Sequence, residues 1–412
     1  MVSSIDVLLC ELCPDGVERK TLEEVASYAR GRIGSEHIAP GCYIGVNELL
    51  PDYRGRSYEI RIPGEKTCIA FKPGDVLLGN IRPYLKKLWL SDCNGGTNGD
   101  VLVIRVRDTD FVAPAYLKQV LMSTEFTQYN IANSRGGKMP RGDKDAIMRA
   151  EIPVPPMEIQ EEVVRILDSF AELEAELEAE LEARRAQYAY YRDTLLNFER
   201  GVLDRWLGSS LVPNVITEPV SAVCRRISSG GTPLKSRDDY YVGGSIPWLR
   251  TQEVRYGDIF DTGGRITELG MRESSAKWIP ENCVIVAISG ASAGRVAVNK
   301  IPLATNQHCL NMEIDPAKAS YRYVYYCMCS KTQVLLARKE GARGDLNATR
   351  IKTVEIPVPP LEIQDRIVSV LDRFDALTTS LTDGLPAEIE ARRKQYEYYR
   401  DKLLDFPRKE SA

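Results

Sequence analysis

The sequence predicts an α+β protein in which two β-rich domains alternate with two long helical regions. A helical stretch recurs near the middle and near the end of the 412 residues, and each copy follows short β-rich runs separated by Gly and Asn turns. We expect the helical regions to pair as an antiparallel coiled coil, with pseudo-twofold symmetry overall. The predicted boundaries are 1–150 for the first domain, 151–200 for the first helical region, 201–354 for a linker and the second domain, and 355–412 for the second helical region.

Each repeat copy opens as a strand followed by a helix. Residues 151–170 read EIPVPPMEIQEEVVRILDSF and residues 355–374 read EIPVPPLEIQDRIVSVLDRF. The prolines favour extended backbone before them and suit the first turn of a helix. Apolar residues then recur at spacings of three and four and predict one buried helical face, formed by Ile159, Val163, Ile166, Leu167, Phe170, Leu173, Leu177 and Leu181.

The helix of the first copy is unusually long. No helix breaker interrupts residues 157–198, which predicts roughly 63 Å of continuous helix, too long for the interior of one small domain. In the second copy, the sequence TDGLP at 382–386 predicts a break, with a new helix after Pro386. The first copy also contains AELE three times between Ala171 and Glu182. These glutamates predict either a solvated acidic face or an acidic surface that a basic partner neutralises.

A tyrosine-rich helix end closes both copies. The pattern ARRxQYxYYRDxLLxF starts at Ala183 and again at Ala391. Tyrosine is amphipathic, so we interpret these side chains as packing residues at a helix–helix or subunit interface, with base stacking as the alternative. The residues are Tyr188, Tyr190, Tyr191, Tyr396, Tyr398 and Tyr399.

Charge is distributed unevenly along the chain. The net charge is −4, but it is +1 for residues 1–150, −7 for 157–200, +6 for 214–354 and −3 for 355–412. The acidic residues therefore concentrate in the repeat copies and the basic ones in the β-rich domains, which is compatible with basic faces that bind nucleic acid.

The remaining composition indicates an ordinary cytoplasmic protein. There is no apolar run long enough for a membrane span and no basic region typical of an export signal at the start. The ten cysteines are scattered, and we expect free thiols. With only two histidines and a single CxxC, no metal site is predicted.

The repeat motifs resemble those of a known family. EIPVPPxEIQxxxVxxLDxF, ARRxQYxYYRDxLLxF, LCPDGVERKTLEEV from Leu12 and SSGGTPLKSRDDYYVGGSIPWLR from Ser228 resemble the DNA-specificity (S) subunit of type I restriction–modification systems. The resemblance covers essentially the whole chain. It identifies the two β-rich domains with target-recognition domains and the repeat copies with the conserved helical regions.

The resemblance implies a DNA-reading adaptor. Each target-recognition domain would read one half of an asymmetric, bipartite site in double-stranded DNA. The helices would set the spacing and dock two methyltransferase (M) subunits, and two restriction (R) subunits would join the full complex. The partners, not this chain, would bind S-adenosylmethionine, ATP and magnesium. The AELE units resemble tetrapeptide repeats whose number tunes the half-site spacing in some members of the family.

The motifs of a self-contained enzyme are missing. We find no [DNS]PP[YF] methylation motif, no FxGxG loop and no GxxxxGK[ST] phosphate-binding loop. The two histidines, His37 and His308, lie in different domains and do not suggest a catalytic triad. The sequence therefore predicts a non-catalytic protein.

Candidate DNA contacts are the basic and polar residues near Gly- and Asn-rich turns, since Arg suits guanine edges and Asn or Gln suits adenine. In the first domain they are Tyr43, Asn80, Arg82, Tyr84, Lys86, Lys87, Asn98, Arg135, Lys138 and Arg141. In the second domain they are Ser229, Thr232, Lys235, Arg237, Arg250, Ser289, Ser292, Arg295, Asn306, Gln307, Arg343 and Asn347. We expect Trp248 and Trp278 to belong to the core.

Two other functions fit the sequence. One is an orphan or alternative S subunit that has no restriction partner. The other is a coiled-coil scaffold whose β-rich domains bind proteins, and it predicts no DNA binding even when an M subunit is present.

Overall fold

The computed structural model describes residues 2–61, 63–198, 215–337, 346–379 and 384–409. Within them, two β-rich domains alternate with long helices, as the sequence predicts. The α+β fold class is therefore confirmed.

The first domain contains two small sheets and a strand pair. Its helices are α1 (Val2–Leu12), α2 (Leu22–Val25), α3 (Pro114–Met122), α4 (Thr124–Ala132) and α5 (Lys144–Arg149). Its strands are β1 (Arg19–Thr21), β2 (Ala26–Tyr28), β3 (Arg32–Gly34), β4 (Thr67–Phe71), β5 (Val76–Gly79), β6 (Leu88–Leu90), β7 (Gly95–Thr97), β8 (Val101–Val106) and β9 (Glu151–Pro153). The sheet orders are β2-β8-β5-β6 and β3-β4-β7, and β1 pairs with β9.

The predicted long helix follows as α6 (Met157–Leu196). Its first turns bury Ile159, Val163, Ile166 and Leu167 in the core of the first domain, which confirms the start of the apolar face. Leu173 departs from the prediction because its side chain is exposed. Leu177 is half-buried and Leu181 is buried again, so the predicted apolar face is interrupted at Leu173 rather than lost along the AELE units.

The second domain repeats this plan with one more strand in its main sheet. Its strands are β10 (Ile216–Pro219), β11 (Cys224–Ser229), β12 (Ile246–Leu249), β13 (Asp258–Ile259), β14 (Arg265–Ile266), β15 (Trp278–Ile279), β16 (Val284–Ala287), β17 (Val296–Asn299), β18 (Leu303–Thr305), β19 (Cys309–Ile314) and β20 (Glu355–Val358). Its helices are α7 (Glu268–Arg272), α8 (Tyr321–Ser330), α9 (Thr332–Ala337) and α10 (Ala348–Lys352). The sheet orders are β11-β19-β16-β17-β13 and β14-β12-β18-β15, and β10 pairs with β20.

The second repeat copy consists of α11 (Leu361–Thr379) and α12 (Leu385–Leu404). Two separate helices confirm the break predicted at TDGLP, although Thr382 and Asp383 lie outside the described residues. The new helix begins one residue before Pro386, which occupies its first turn, where a missing N–H breaks no helical hydrogen bond.

The chain divides into two compact units, each of which contains parts of both repeat copies. Unit 1 comprises residues 1–178 and 388–412, and unit 2 comprises residues 179–387. Each unit therefore combines one β-rich domain, the start of the repeat copy that follows it, and the tyrosine-rich end of the other copy. Residues distant in sequence thus share one unit.

The central strands of the two domains have the same register at a constant offset. In unit 1, Val76 of β5 lies opposite Ile104 of β8 and Leu90 of β6. In unit 2, Val284 of β16 lies opposite Met312 of β19 and Val298 of β17. Adding 208 to each residue number of the first set gives the second, so residues 76–106 and 284–314 are structural equivalents.

The glutamine of the EIQ motif fastens each helix to its domain. Gln160, fully buried, accepts a hydrogen bond from Ala113 N at 2.9 Å and donates to Phe111 O at 3.0 Å and Pro155 O at 2.8 Å. Gln364 makes the corresponding three bonds in unit 2, to Ser320 N, Lys318 O and Pro359 O. A buried side-chain amide must be paired, and here its pairing fixes the start of the helix.

The two tryptophans of the second domain differ in burial. Trp248 is buried on β12 and donates from Nε1 to Gly231 O at 3.0 Å. Trp278, expected in the core, is 47% exposed. That prediction is wrong because β15 is a two-residue strand at the edge of its sheet, with one neighbour only.

Candidate nucleic-acid interface

A strained turn follows β5 in the first domain. One turn of 3-10 helix at Pro83–Leu85 is flanked by Arg82 and Lys86, and both have a left-handed backbone with φ of 52°. Each such non-glycine residue costs about 1–3 kcal/mol, and such strain tends to cluster at functional sites. The NIRPYLKK segment, predicted to contact DNA, therefore presents its basic side chains from an unusual backbone.

The glycine-rich basic loop at 134–142 lies against this turn. Arg82 N donates to Pro140 O at 2.7 Å, and Gly142 N donates to Asn80 O at 3.1 Å. A bridge also joins Ile81 to Arg141. The fold thus brings together Arg82 and Arg141, which the sequence separates by more than fifty residues.

Two exposed arginines of this loop form ion pairs with carboxylates. Arg141 Nη2 lies 3.1 Å from Asp100 Oδ1, and Arg135 Nη2 lies 2.6 Å from Asp143 Oδ2. The pKa of Asp143 is lowered, first by the hydrogen bond from Ala146 N and also by the charge of Arg135. These are exposed ion pairs of small net stability, so a phosphate can compete for the guanidinium groups.

The other candidates of the first domain differ in exposure. Tyr84 and Lys138 are exposed, whereas Tyr43 and Asn80 are buried. Lys87 is half-buried, donates from Nζ to Val46 O at 2.6 Å, and has its pKa lowered by desolvation. Lys86 and Asn98 are also half-buried, and Asn98 Oδ1 accepts from Asp100 N at 3.1 Å. Lys87 and Asn98 thus bond the backbone of neighbouring loops.

A cleft of about 500 Å³ gathers five candidates of the second domain. Its lining includes the predicted residues Thr232, Lys235, Arg250, Asn306 and Gln307. Sequence reasoning missed Gln252, Arg265 and His308, which also line it. All of these carry hydrogen-bonding groups, a composition suited to base edges and phosphates.

Hydrogen bonds organise the floor of this cleft. Asn306 Nδ2 donates to Thr251 Oγ1 at 3.1 Å, and Asn306 Oδ1 accepts from His308 N at 3.1 Å. The Gln307 amide contacts the Thr232 hydroxyl and lies 3.2 Å from His308 Nε2. Asn306 is therefore committed to the fold, while Gln307 is exposed and able to exchange its partners.

The remaining candidates of the second domain are scattered. Ser289, Ser292 and Arg295 belong to the turn between β16 and β17. Arg237 is exposed and paired with Asp239 at 2.5 Å, and Ser229 is exposed at the end of β11. Asn347 caps α10 by accepting from Thr349 N at 2.8 Å. Arg343 lies outside the described residues.

The interface elements of the two domains correspond through the 208-residue offset. Asn98 and Asn306 are equivalent, and each side-chain oxygen accepts a hydrogen bond from the backbone N two residues later. Arg82 and Lys86 correspond to Gly290 and Gly294, whose φ angles are 67° and 91°. The shared Thr-Asn pair, at 97–98 and 305–306, is a sequence signal that could have revealed this correspondence.

The tyrosine-rich ends contact the start of the other repeat copy. In unit 1 Tyr399 stacks on Phe170, and Tyr396 OH donates to Gln119 Oε1 at 2.7 Å. In unit 2 both Tyr188 and Tyr191 contact Phe374. Tyr188, Tyr191 and Tyr399 thus pack on the start of the other copy and Tyr396 bonds α3 of the first domain, whereas Tyr190 and Tyr398 are exposed. A role of these tyrosines in a subunit interface stays a prediction.

In unit 1 the helices pair antiparallel. Tyr399 meets Phe170, and Arg393, earlier on α12, meets Glu174, later on α6, with Nε 2.5 Å from Oε1. Arg393 also contacts Glu178. Two glutamates of the AELE units therefore have a basic partner within the chain.

No described helix is both long and apolar enough to cross a membrane. Among the same residues, no group of three or more His, Cys, Asp or Glu side chains is placed to hold a metal ion.

Comparison with known proteins agrees with this architecture. The sequence profile of the type I restriction modification DNA specificity domain matches residues 14–183 and 223–391. The type I restriction enzyme EcoR124I/EcoR124II specificity subunit of Escherichia coli is 36% identical over 283 residues, which span 64% of this chain and 65% of that protein. A putative type I restriction enzyme specificity subunit of Haemophilus influenzae is 29% identical over 95% of this chain and 96% of its own length.

Two solved structures share the fold. One, from a study of complex assembly and conformational transition of the type I R-M system, has a TM-score of 0.64 at 20% identity and covers 94% of this chain and 97% of that one. The other, the S subunit of a type I restriction–modification system from M. genitalium, has a TM-score of 0.55 at 15% identity, covering 94% and 95%. With two profile matches that together span most of the sequence, this chain belongs to the family of type I restriction–modification DNA specificity subunits.

Proposed function

We propose that this chain is the non-catalytic DNA-reading subunit of a cytoplasmic type I restriction–modification complex. Each β-rich domain reads one half of an asymmetric, bipartite site in double-stranded DNA. The helical regions set the distance between the half-sites and dock the enzymatic subunits.

One observation carries the proposal. Both domains present a turn and an adjoining Thr-Asn corner at equivalent positions, but with different side chains on them. The first domain has Arg82 and Lys86 on the turn, where the second has Gly290 and Gly294. The second domain instead has Gln307 at its Thr-Asn corner and Arg250 in the same cleft. One scaffold with two sets of base-reading and phosphate-binding groups suits two different half-sites.

The exposed tyrosines support a partner that binds twice. Tyr190 and Tyr398 occupy the same position of the two repeat copies and are 59% and 60% exposed. Exposed aromatic side chains are common at protein interfaces. Two equivalent surfaces suit two methyltransferase subunits, which would supply adenine-N6 methylation with S-adenosylmethionine. Two restriction subunits would add ATP- and Mg-dependent cleavage.

The test is to map N6-methyladenine in the native genome by single-molecule sequencing, with the gene intact and with it deleted. We expect one gapped, asymmetric motif to lose its methylation on deletion. A complementing plasmid should restore that motif alone.

An unchanged methylation map would contradict the proposal as stated. Binding of the purified chain to genomic DNA fragments, with and without the M subunit, then separates the alternatives. Binding only with the M subunit supports an inactive specificity subunit, and no binding in either case supports the protein-binding scaffold.

A further inference from the structure

A second strained segment supports the turn of the first domain from behind. Asp52 N donates to Leu85 O at 3.0 Å, and Tyr53 N donates to Lys86 O at 2.7 Å. Asp52 and Tyr53 are themselves left-handed, with φ of 55° and 58°. Four of the six non-glycine residues with positive φ in the described part of the chain thus meet at this one contact.

Tyr53 connects this segment to α12. Its hydroxyl lies 2.5 Å from Thr127 Oγ1, and the Arg400 guanidinium carbon lies 5.9 Å from its ring centre. Arg400 is only 2% exposed and lies at 5.7 Å from the ring of Tyr396 as well. The turn is therefore hydrogen-bonded to Tyr53, and the Tyr53 ring packs beside Arg400 of α12, a helix near the end of the sequence.

A second contact joins α12 to the turn directly. Lys86 Nζ lies 3.8 Å from Glu397 Oε1, and both side chains are partly exposed. An isolated exposed ion pair contributes at most about 1 kcal/mol to stability, so this contact adds little to folding. The ion pair does, however, hold the ammonium group of Lys86, a candidate DNA contact, near one position in the DNA-free protein.

The repeat itself indicates that this contact is specific to unit 1. The first copy has Ala189 where the second has Glu397, although QYxYYRD around it is otherwise identical. The second domain has Gly294 where the first has Lys86. The acidic helix residue and the basic turn residue thus occur together in one unit, and both are missing at the equivalent positions of the other.

We propose that α12 positions the recognition turn of the first domain, with Glu397, Tyr53 and Arg400 as positioning residues that influence which bases the first domain accepts. The inference rests on the proposed function, and it assigns to the helix a part in specificity beyond spacing and docking. A free-energy difference of about 1 kcal/mol is about fivefold in an equilibrium. That is at the lower end of what one good base contact contributes to discrimination.

The test uses the full chain in its own complex, expressed in the strain that lacks the gene. Glu397→Gln removes the charge beside Lys86, and Tyr53→Leu removes the ring that lies beside Arg400 of α12. Glu390→Gln is the matched control, because it removes an exposed ion pair on the same helix, 3.5 Å from Lys394 Nζ, away from the turn. Genome-wide methylation at cognate sites and at sites with one wrong base is the readout.

We expect Glu397→Gln and Tyr53→Leu to raise methylation at sites with one wrong base in the first half-site by about fivefold relative to cognate sites. Discrimination at the second half-site should stay as in the parent, and Glu390→Gln should change neither. The thermal midpoint of purified Glu397→Gln should match that of Glu390→Gln, since both lose one exposed pair.

Two results overturn the inference. In the first, the variants methylate sites with one wrong base in the first half-site no more than Glu390→Gln does. In the second, methylation of sites with one wrong base rises equally for both half-sites. Weaker docking of an M subunit would lower methylation at all sites together and leave the ratios unchanged, so it counts as the first result. If deletion of the unmutated gene removes no gapped motif, the proposed function fails and this inference fails with it.

Discussion

Phe170 of the first repeat copy stacks on Tyr399 of the second, with ring centres 5.3 Å apart and ring planes 21° from parallel. The equivalent pair in unit 2 is Phe374 with Tyr191, at 5.5 Å and 29°. In each unit the end of one copy therefore packs on the start of the other. This relationship explains why the chain carries the tyrosine-rich ending twice, since each domain needs one.

The Phe170–Tyr399 stack should be energetically coupled. In a double-mutant cycle with Phe170→Ala and Tyr399→Ala, we expect a coupling free energy of about 0.5–1.5 kcal/mol, typical of an aromatic pair. The measurement is chemical denaturation of the four variants. Phe374→Ala combined with Tyr399→Ala is the control and should be additive within about 0.5 kcal/mol. Additivity of the stacked pair would contradict the geometry.

Buried Gln160 should matter more to stability than its exposed neighbour. Gln160→Leu leaves Ala113 N, Phe111 O and Pro155 O without their partner. We expect the free energy of unfolding of the first domain to fall by at least about 2 kcal/mol, because unpaired buried polar groups keep their desolvation cost. Urea denaturation measures it, and Glu161→Gln, exposed on the same turn, is the control. Equal effects of the two changes would refute the fastening role.

We expect Arg82 to contribute to DNA recognition while its left-handed backbone lowers the stability of the fold. Arg82→Gly relieves the left-handed strain, and we expect the free energy of unfolding to hold or to rise by up to about 1 kcal/mol. Recognition of one half-site only should weaken or disappear in the methylation map. Arg82→Ala should give the same loss of recognition without any gain in stability. Equal loss at both half-sites, or none, would count against Arg82 as a DNA contact.

The buried thiols of the second domain should make stability depend on pH in the alkaline range. Burial raises the pKa values of Cys283, Cys309, Cys327 and Cys329 from 9.0 to about 12. Between these values the unfolded state loses thiol protons that the folded state keeps. The free energy of unfolding should therefore be unaffected by these groups below pH 9 and should fall as pH rises towards 12.

Thiol labelling checks the same four residues. At pH 8 a thiol reagent should modify exposed Cys10 rapidly and the four buried cysteines only on unfolding. Peptide mass spectrometry assigns the labelled positions. Fast labelling of Cys327 or Cys329 in the folded chain would contradict their burial.

Local patterns were sufficient for the helical regions. The spacing of Ile159, Val163, Ile166 and Leu167 predicted the buried face, because helical periodicity is a property of neighbouring residues. The break before α12 followed from Gly384 and Pro386 for the same reason. Leu173 is exposed although Leu181 is buried, since a spacing rule does not reveal which stretch of a helix another element covers.

The correspondence between the two β-rich domains was not visible in the sequence. A strand position in a core accepts many apolar residues of suitable size, so Leu90 and Val298, or Ile104 and Met312, can hold the same register without resembling one another. The Thr-Asn corner persisted as a pair of neighbouring residues, because there a side chain bonds the backbone and few residues can substitute.

The sequence by itself determined the α+β class, the alternation of two domains with two helical regions, and the family, because these depend on periodicity and on repeated motifs along the chain. The tertiary structure decided which groups meet. Tyr396 bonds Gln119 and Asp401 accepts from Thr124 N, each across 277 positions. Lys86 faces Glu397 for the same reason. Such pairings depend on how whole elements pack, and no local pattern records the partner of a side chain that lies hundreds of residues away.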